Sequence, residues 1–266
     1  MPHLPPRPKG QIDTSRPHSA RVYDYLLGGK DNYAVDRELA EELPGLFRSA
    51  AVQNRAFMRR AVNWLALRGI DQFLDIGTGI PTAPNLHQIA QRVNPAARVV
   101  YTDNDPIVLA HAAALLVSSP EGRTDYVDAD LRSPEAILDA AGRTLDFDRP
   151  IALSLIAVLH FVTDAHDPRA IVRTLVDRLP VGSFLVLSHG DVTQFPEDAE
   201  AAGAYERRIE AQFRRRAEIA PFFAEDRLTL VPPGLVTAPE WYQADQLRPS
   251  RERSAIWAGV AEVGAG

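Results

Sequence analysis

The 266-residue chain contains no cysteine. That excludes a disulfide framework, thiolate catalysis, a zinc–thiolate site and an iron–sulfur cluster, and it fits a reducing compartment. The chain also lacks an excess of positive charge. Its 29 Lys and Arg stand against 35 Asp and Glu, a formal charge of −6, so the overall balance gives no strong nucleic-acid signal. Long apolar runs are missing too. The longest, residues 151–162, is interrupted by Ser154 and His160 and falls short of the ~20 apolar residues that span a bilayer. The N-terminus, MPHLPPRP, has four prolines in eight residues and no apolar core of a signal peptide. These absences predict a cytoplasmic protein without a membrane anchor.

The remaining composition is that of a globular chain, 45% apolar and 24% charged. The length suits one large domain with an appendage. Residues 1–18, rich in proline and charge, read as a flexible arm. Residues 19–69 read as a helical cap of three segments: 20–27 stopping at Gly28-Gly29, 35–43 ending before Pro44, and a third capped by Ser49. Phe57, Met58, Ala61, Val62 and Leu65 recur in the third at helical spacing, and Gly69 closes it.

From residue 70 the rhythm becomes strand, turn, helix. Strands are predicted at 73–76, 98–102, 124–127, 150–158 and 183–188, with helices at 84–93, from Pro106, after Ser133 and at 168–179. Such alternation implies parallel pairing. A polar helix over 198–217, with Tyr205, Ile209 and Phe213 along one face, precedes two more strands at 227–231 and 254–263. Residues 70–266 therefore predict a doubly wound, mostly parallel α/β sheet of seven strands, Rossmann-like, under the N-terminal cap.

The most informative segment is Asp75-Ile-Gly-Thr-Gly79, a strand running into a glycine turn before a helix. Asp103 ends the second strand and Asp130 follows the third, so three carboxylates lie at strand carboxyl ends, where open α/β sheets bind ligands. A carboxylate in the position of Asp103 can accept both ribose hydroxyls of an adenosine cofactor. The dinucleotide fingerprint is incomplete, with Thr82 in place of the third glycine, and Asp75 beside the turn would repel a pyrophosphate. A cofactor carrying an ammonium and a sulfonium would be attracted by the same residue. S-adenosylmethionine is thus favoured over NAD, and a bare strand–turn–helix without ligand is the remaining reading.

Asp75-Ile-Gly-Thr-Gly79, Val100-Tyr-Thr-Asp-Asn-Asp-Pro106 and Asp128-Ala-Asp-Leu131 resemble the successive motifs of class I S-adenosylmethionine-dependent methyltransferases. Ser15-Arg-Pro-His-Ser-Ala-Arg-Val-Tyr-Asp-Tyr-Leu-Leu-Gly-Gly-Lys-Asp-Asn-Tyr33 resembles a motif of an actinobacterial S-adenosyl methyltransferase family once classed as a domain of unknown function. The likeness runs from about Ser15 to the last strand, with Ile80-Pro81 standing where a further glycine is usual. It implies that Asp75, Gly77, Thr78 and Gly79 surround the methionine part of the cofactor, that Asp103 holds the ribose, and that Asn104 lies beside the adenine. It further implies that Asp130 accepts from the adenine amino group, that the Leu131 amide donates to the ring, and that Ser154, Leu155 and Ile156 line the cofactor.

Methyl transfer is an in-line displacement in which the protein aligns the partners and excludes water. A base is needed only if the acceptor arrives protonated. His160 after the fourth strand is the first candidate, and His189 with Asp191 the second; either is equally readable as a buried structural histidine. His160 and Asp164 lack the spacing of a metal site, and no other metal cluster stands out. Residues 19–34 read as a lid over the cofactor, hinged at Gly28-Gly29 with Tyr23 or Tyr33 near the ligand, or else as plain scaffold. Arg207, Arg208, Arg214, Arg215 and Arg216 read as a solvated face balanced by Glu206, Glu210 and Glu218, with a basic acceptor-binding surface as the alternative. Trp241-Tyr242 is a candidate pocket wall or simple packing. The expected activity is methyl transfer from S-adenosylmethionine to a small-molecule acceptor. A non-catalytic S-adenosylmethionine-binding protein and an NAD-linked oxidoreductase are the competing functions.

Overall fold

The computed structural model describes residues 13–115, 117–242 and 253–265; most of the expected flexible arm, residues 1–12, lies outside them. Period-two burial sets the centre of the sheet. In β1 (Gln72–Ile76), Phe73 enters one apolar core while Leu74 and Ile76 enter another on the opposite face. β2 (Arg98–Asp103), β3 (Arg123–Asp128), β4 (Ala152–Ile156) and β5 (Phe184–Gly190) run parallel to β1 in the order β3-β2-β1-β4-β5. Beyond β5 the sheet turns antiparallel. β6 (Leu228–Leu230) and β7 (Val236–Thr237) both pair with β8 (Ile256–Val263), which itself pairs with β5.

The sheet thus has eight strands, one more than expected. The extra one, β7, is two residues long and carries no alternation a sequence could show.

Three helices form the N-terminal part: α1 (Ser19–Leu26), α2 (Ala34–Glu42) and α3 (Gly45–Leu67). α3 buries Phe57, Met58, Ala61 and Leu65 against the Phe73 face of the sheet, together with Ile89 of α4 (Leu86–Val93). Val22 of α1 and Leu39 of α2 join the same core, so the cap is continuous with that face. Ser49 is not the cap of α3. The helix starts a turn earlier behind Pro44, whose fixed φ suits a helix entry, and Ser49 sits exposed within it. α4 likewise begins at Leu86 rather than at residue 84, where the Gln88 side chain accepts from the Asn85 amide at 2.7 Å. α5 (Pro106–Leu115) follows β2. The opposite face is covered by α6 (Pro134–Ala141) and α7 (Pro168–Asp177) through Ile137, Leu138, Val172 and Leu175.

The expected helix over 198–217 is two helices and a strap. α8 (Ala199–Ile209) stops at Glu210, whose φ is 58°, and α9 (Arg216–Ile219) resumes after an irregular segment. That segment is bound by main chain: the Gln212 amide donates to the His160 carbonyl at 2.7 Å and the Arg214 amide to the Gly190 carbonyl at 3.2 Å. Phe213 rests on Gly190, where an added Cβ would lie 2.7 Å from the ring. These contacts outcompete helix continuation, although Tyr205 and Phe213 still meet as stacked rings 5.9 Å apart.

β1 is the switch point of the sheet, because the chain first builds outward through β2 and β3 and then crosses back to β4. A crevice opens at the strand carboxyl ends in such a topology.

Candidate cofactor cavity

A cavity of about 310 Å³ occupies that crevice, within the size range of small-molecule sites. The glycine turn after β1 forms its floor. Gly77 and Gly79 have φ of 75° and 65°, a region open to glycine at no steric cost. A Cβ on Gly77 would come 2.3 Å from the Val158 side chain, so the turn is wedged against the segment after β4. Gly79 has no heavy atom within 4 Å of that position and leaves backbone open to a ligand. Asp103 ties the turn to β2. Its Oδ2 accepts from the Gly79 amide and its Oδ1 from the Asp105 amide, both at 2.9 Å.

Asp75, Gly77, Thr78, Gly79, Asp103, Asn104, Asp130, Leu131, Ile156 and Tyr23 all line this cavity. Ser154 and Leu155 do not. Side chains alternate along β4, so Leu155 points into the α6–α7 core, while the Ser154 hydroxyl donates to Asp75 Oδ1 at 2.6 Å. Ser154 acts on the cavity through Asp75.

The carboxylates are held differently. Burial pushes Asp75 up to about 6 against the opposing Ser154 hydrogen bond and Arg55 charge. Burial raises Asp103 as well. Asp130 is held down to about 2, chiefly by Arg132, whose Nε and Nη2 donate to its two oxygens at 2.9 and 2.6 Å. Asn104 Nδ2 adds a bond to Asp130 at 3.1 Å.

Several cavity residues had no sequence signal. Arg55 on α3 donates to the Thr82 and Pro84 carbonyls and keeps a buried, unpartnered Nε. Asn54, one residue earlier, donates to the Tyr23 hydroxyl at 3.0 Å and accepts from the Ser188 hydroxyl at 2.6 Å. The Tyr23 hydroxyl donates in turn to the Ala51 carbonyl at 3.1 Å. Asn54 and Arg55 lie on a helix whose pattern announces only its apolar face.

The other candidates sort clearly. His160 is absent from the wall of the main cavity and lines an adjacent lobe. His189 is fully buried: its Nδ1 donates to the Gly190 carbonyl at 2.9 Å, so its Nε2 accepts from Arg214 at 3.0 Å. Burial lowers its pKa to about 4, with the Arg214 charge adding to the effect. Asp191 accepts from Trp257 Nε1 at 2.8 Å and from Thr193. Both side chains are engaged with protein partners, and neither lines the two cavities. Arg214 is no part of a solvated face; it is 3% exposed and donates to the Leu159 and Val162 carbonyls and to Asp164. Trp241 packs edge-on against Phe57 and Trp64. Gly28 is left-handed at the end of α1, and Gly29 lies so close to the Asp24 carboxylate that a Cβ would collide with it. Among the described residues no group of three or more His, Asp or Glu could hold a metal ion, and no helix is long and apolar enough to cross a membrane.

The parallel sheet, the glycine turn at the switch point and the acidic strand ends define a Rossmann-like fold of the S-adenosylmethionine-dependent methyltransferase class. The chain belongs to the S-adenosyl methyltransferase family, which matches residues 6–264, and its cofactor is S-adenosylmethionine. The nicotinamide reading is thereby set aside. A DUF574 family protein from Streptomyces avermitilis MA-4680 is 46% identical, with a TM-score of 0.87 over 95% of this chain and 100% of that one. A candidate methyltransferase from Thermobifida fusca YX is 38% identical, with a TM-score of 0.85 over 95% and 97%. Magnesium protoporphyrin IX methyltransferase from Synechocystis PCC 6803 shares the fold at 14% identity, with a TM-score of 0.55 over 92% and 93%. No curated protein matches in sequence.

Proposed function

We propose that the protein methylates a small-molecule acceptor, with the cofactor lying along the 310 Å³ cavity. The observation that carries this reading is the placement of Asp75, Asp103 and Asp130 along one wall around a glycine turn with open backbone. This donor set fits the cofactor from end to end. Asp103 accepts from the ribose hydroxyls. Asp130, the Leu131 amide and Asn104 receive the adenine, with Arg132 fixing the Asp130 oxygens. Asp75 faces the cationic methionine end, and Arg55 offers its charge to the carboxylate there. Bound S-adenosylmethionine supplies a methyl carbon activated by its sulfonium. The chain's part is to hold that carbon against the acceptor and to exclude water. Residues 19–34 serve as the cover, with Tyr23 fixed on the cavity wall by Asn54 and Ala51. The absence of cysteine supports a cytoplasmic site of action.

Calorimetry with S-adenosylmethionine, S-adenosylhomocysteine and NAD tests the assignment. The first two are expected to bind and NAD is not. Tight NAD binding without response to S-adenosylmethionine would overturn it.

A further inference from the structure

Beside the cofactor cavity lies a second, open lobe of about 60 Å³. Tyr23, Ala157 and Phe161 line both spaces, so the two adjoin at these residues. The remaining wall is aromatic and aliphatic, with Phe47, Tyr205 and Phe213 facing Ala50, Val192 and Ile256. Among the described residues no charged side chain lines it. Its polar side-chain groups are the Tyr23 and Tyr205 hydroxyls and the imidazole of His160, which is 7% exposed and whose Nδ1 is buried without a hydrogen-bond partner.

An unpaired buried polar atom costs free energy, and where one persists it calls for a partner. Here no neighbouring group supplies one. His160 is packed between Phe161 and Phe213, with ring centroids at 4.2 and 5.8 Å, and against His189 at 5.4 Å. Burial holds its pKa well below the usual imidazole value, and the neighbouring His189 and Arg214 add to this. The ring is therefore neutral near neutral pH, with one nitrogen free to accept.

Resting on the methyltransferase reading, we infer that this lobe seats the methyl acceptor. It takes an uncharged, planar, weakly acidic group whose O–H or N–H donates to His160 Nδ1. A charged acceptor would have to leave water for a wall without counter-ions, which is costly. The aromatic lining favours a ring, through the edge and face contacts such surfaces make. An engineered cavity of ~150 Å³ holds a benzene ring, so the lobe needs more room than it now has. Phe213 provides it: the ring is only half-buried and rides on the irregular strap after α8. Displacing that ring from Gly190 widens the lobe beside the His160 imidazole. As the acceptor atom bonds to the methyl carbon, the electron pair of the broken carbon–sulfur bond stays on sulfur. The acceptor's proton passes to His160 Nδ1 and then to solvent. A proton on a newly methylated oxygen is strongly acidic, so a weakly basic imidazole suffices.

The test uses the full chain saturated with S-adenosylhomocysteine and four probes: phenol, toluene, benzoate and benzylammonium. Binding is read by saturation-transfer NMR and by the 15N shifts of the His160 ring. Phenol is expected to bind about three- to tenfold better than toluene, the range of one net hydrogen bond, and to move the His160 signal. The two ions are expected not to compete. His160→Phe is expected to erase the preference for phenol while keeping toluene. Ala50→Phe, and Val192→Met as a milder filling, are expected to weaken both neutral probes while S-adenosylhomocysteine still binds. Equal binding of phenol and toluene, a preference that survives His160→Phe, or benzoate binding as well as phenol would overturn the inference. S-adenosylhomocysteine binding with no probe binding overturns the acceptor site alone. Failure to bind S-adenosylhomocysteine overturns the methyltransferase reading and this inference with it.

Discussion

Asp75→Asn is expected to stabilise the ligand-free protein and to weaken S-adenosylmethionine binding. The carboxyl is enclosed by protein, and only solvent inside the cavity touches it. Its pKa rises from the usual 3.8 to about 6. The folded state therefore binds the proton more tightly than the unfolded chain. The favourable contribution is complete below pH 3.8 and is lost as pH rises through 6. At ~1.4 kcal/mol per pH unit this amounts to about 3 kcal/mol at neutral pH as an upper bound. Cavity water screens the charge, and about 1–2 kcal/mol is the reasonable expectation. Asparagine carries no charge and can still accept from the Ser154 hydroxyl. In thermal melts at pH 7.5 the variant is expected to unfold roughly 2–8 °C higher, at ~2–4 °C per kcal/mol for a chain of this size. The gap closes as pH falls from 6 toward 4. His189, with a pKa of about 4, destabilises both proteins as pH drops over the same range; the difference between them isolates Asp75. A cation binding beside Asp75 favours its ionised form. Wild-type affinity for S-adenosylmethionine is thus expected to fall about tenfold per pH unit below 6, and the variant to lose that dependence. A melting difference that is zero, negative or independent of pH would refute the reasoning.

Asp103→Ala removes the carboxylate that ties down the Gly79 amide and that we propose holds the ribose; calorimetry is expected to show at least about tenfold weaker S-adenosylhomocysteine binding, at ~1.5–3 kcal/mol per charge-assisted bond, and unchanged affinity in a folded variant would remove Asp103 from the site. Arg214→Met strands the Leu159 and Val162 carbonyls and is expected to cost at least about 3 kcal/mol in denaturant unfolding. Asp164→Asn is expected to cost under about 1 kcal/mol, because that carboxylate is 71% exposed; equal losses would contradict this account of the strap. Hydrogen exchange is expected to slow in residues 19–34 when S-adenosylhomocysteine binds, and protection confined to the glycine turn would leave that segment as scaffold.

The fold was legible because its signals are local and periodic. The strand–turn–helix at Asp75 to Gly79 announces itself through alternation and paired glycines, and Pro106 and Gly69 mark helix ends that the structure retains. The cavity wall could be read wherever it lies at a strand's carboxyl end, as with Asp103 and Asp130. What escaped was set by long-range contact. Tyr205, Ile209 and Phe213 keep a helical spacing, yet the helix breaks at Glu210, where residues 212–214 find carbonyls in the turn after β4 and at the end of β5. Arg55 and Asn54 belong to the cavity only because α3 packs across the sheet. A sequence pattern reports which face of a helix is apolar, and these two polar residues reach the cavity from its margin. His160 was readable as a residue near the strand edge, but not as a buried, unpartnered imidazole in a largely apolar lobe.

The strap between α8 and α9 has a consequence for how such a site could change. Its moorings are the Gln212 and Arg214 amides on the carbonyls of His160 and Gly190, together with one guanidinium on two further carbonyls. Carbonyls are the same at every residue, so the anchorage is indifferent to most side chains around it. Ile209, Glu210 and Phe213 hang from this mount over the two cavities. Ile209 and Phe213 can be exchanged without breaking those bonds, whereas Arg214, the bare Gly190 beneath Phe213, the left-handed Glu210, Glu206, whose carboxylate accepts from the Phe213 amide, and Gln212, whose side chain bonds Asp164, are constrained. Selectivity for a new acceptor could therefore be acquired by one substitution at a time, with the cofactor wall on the far side of the crevice left untouched.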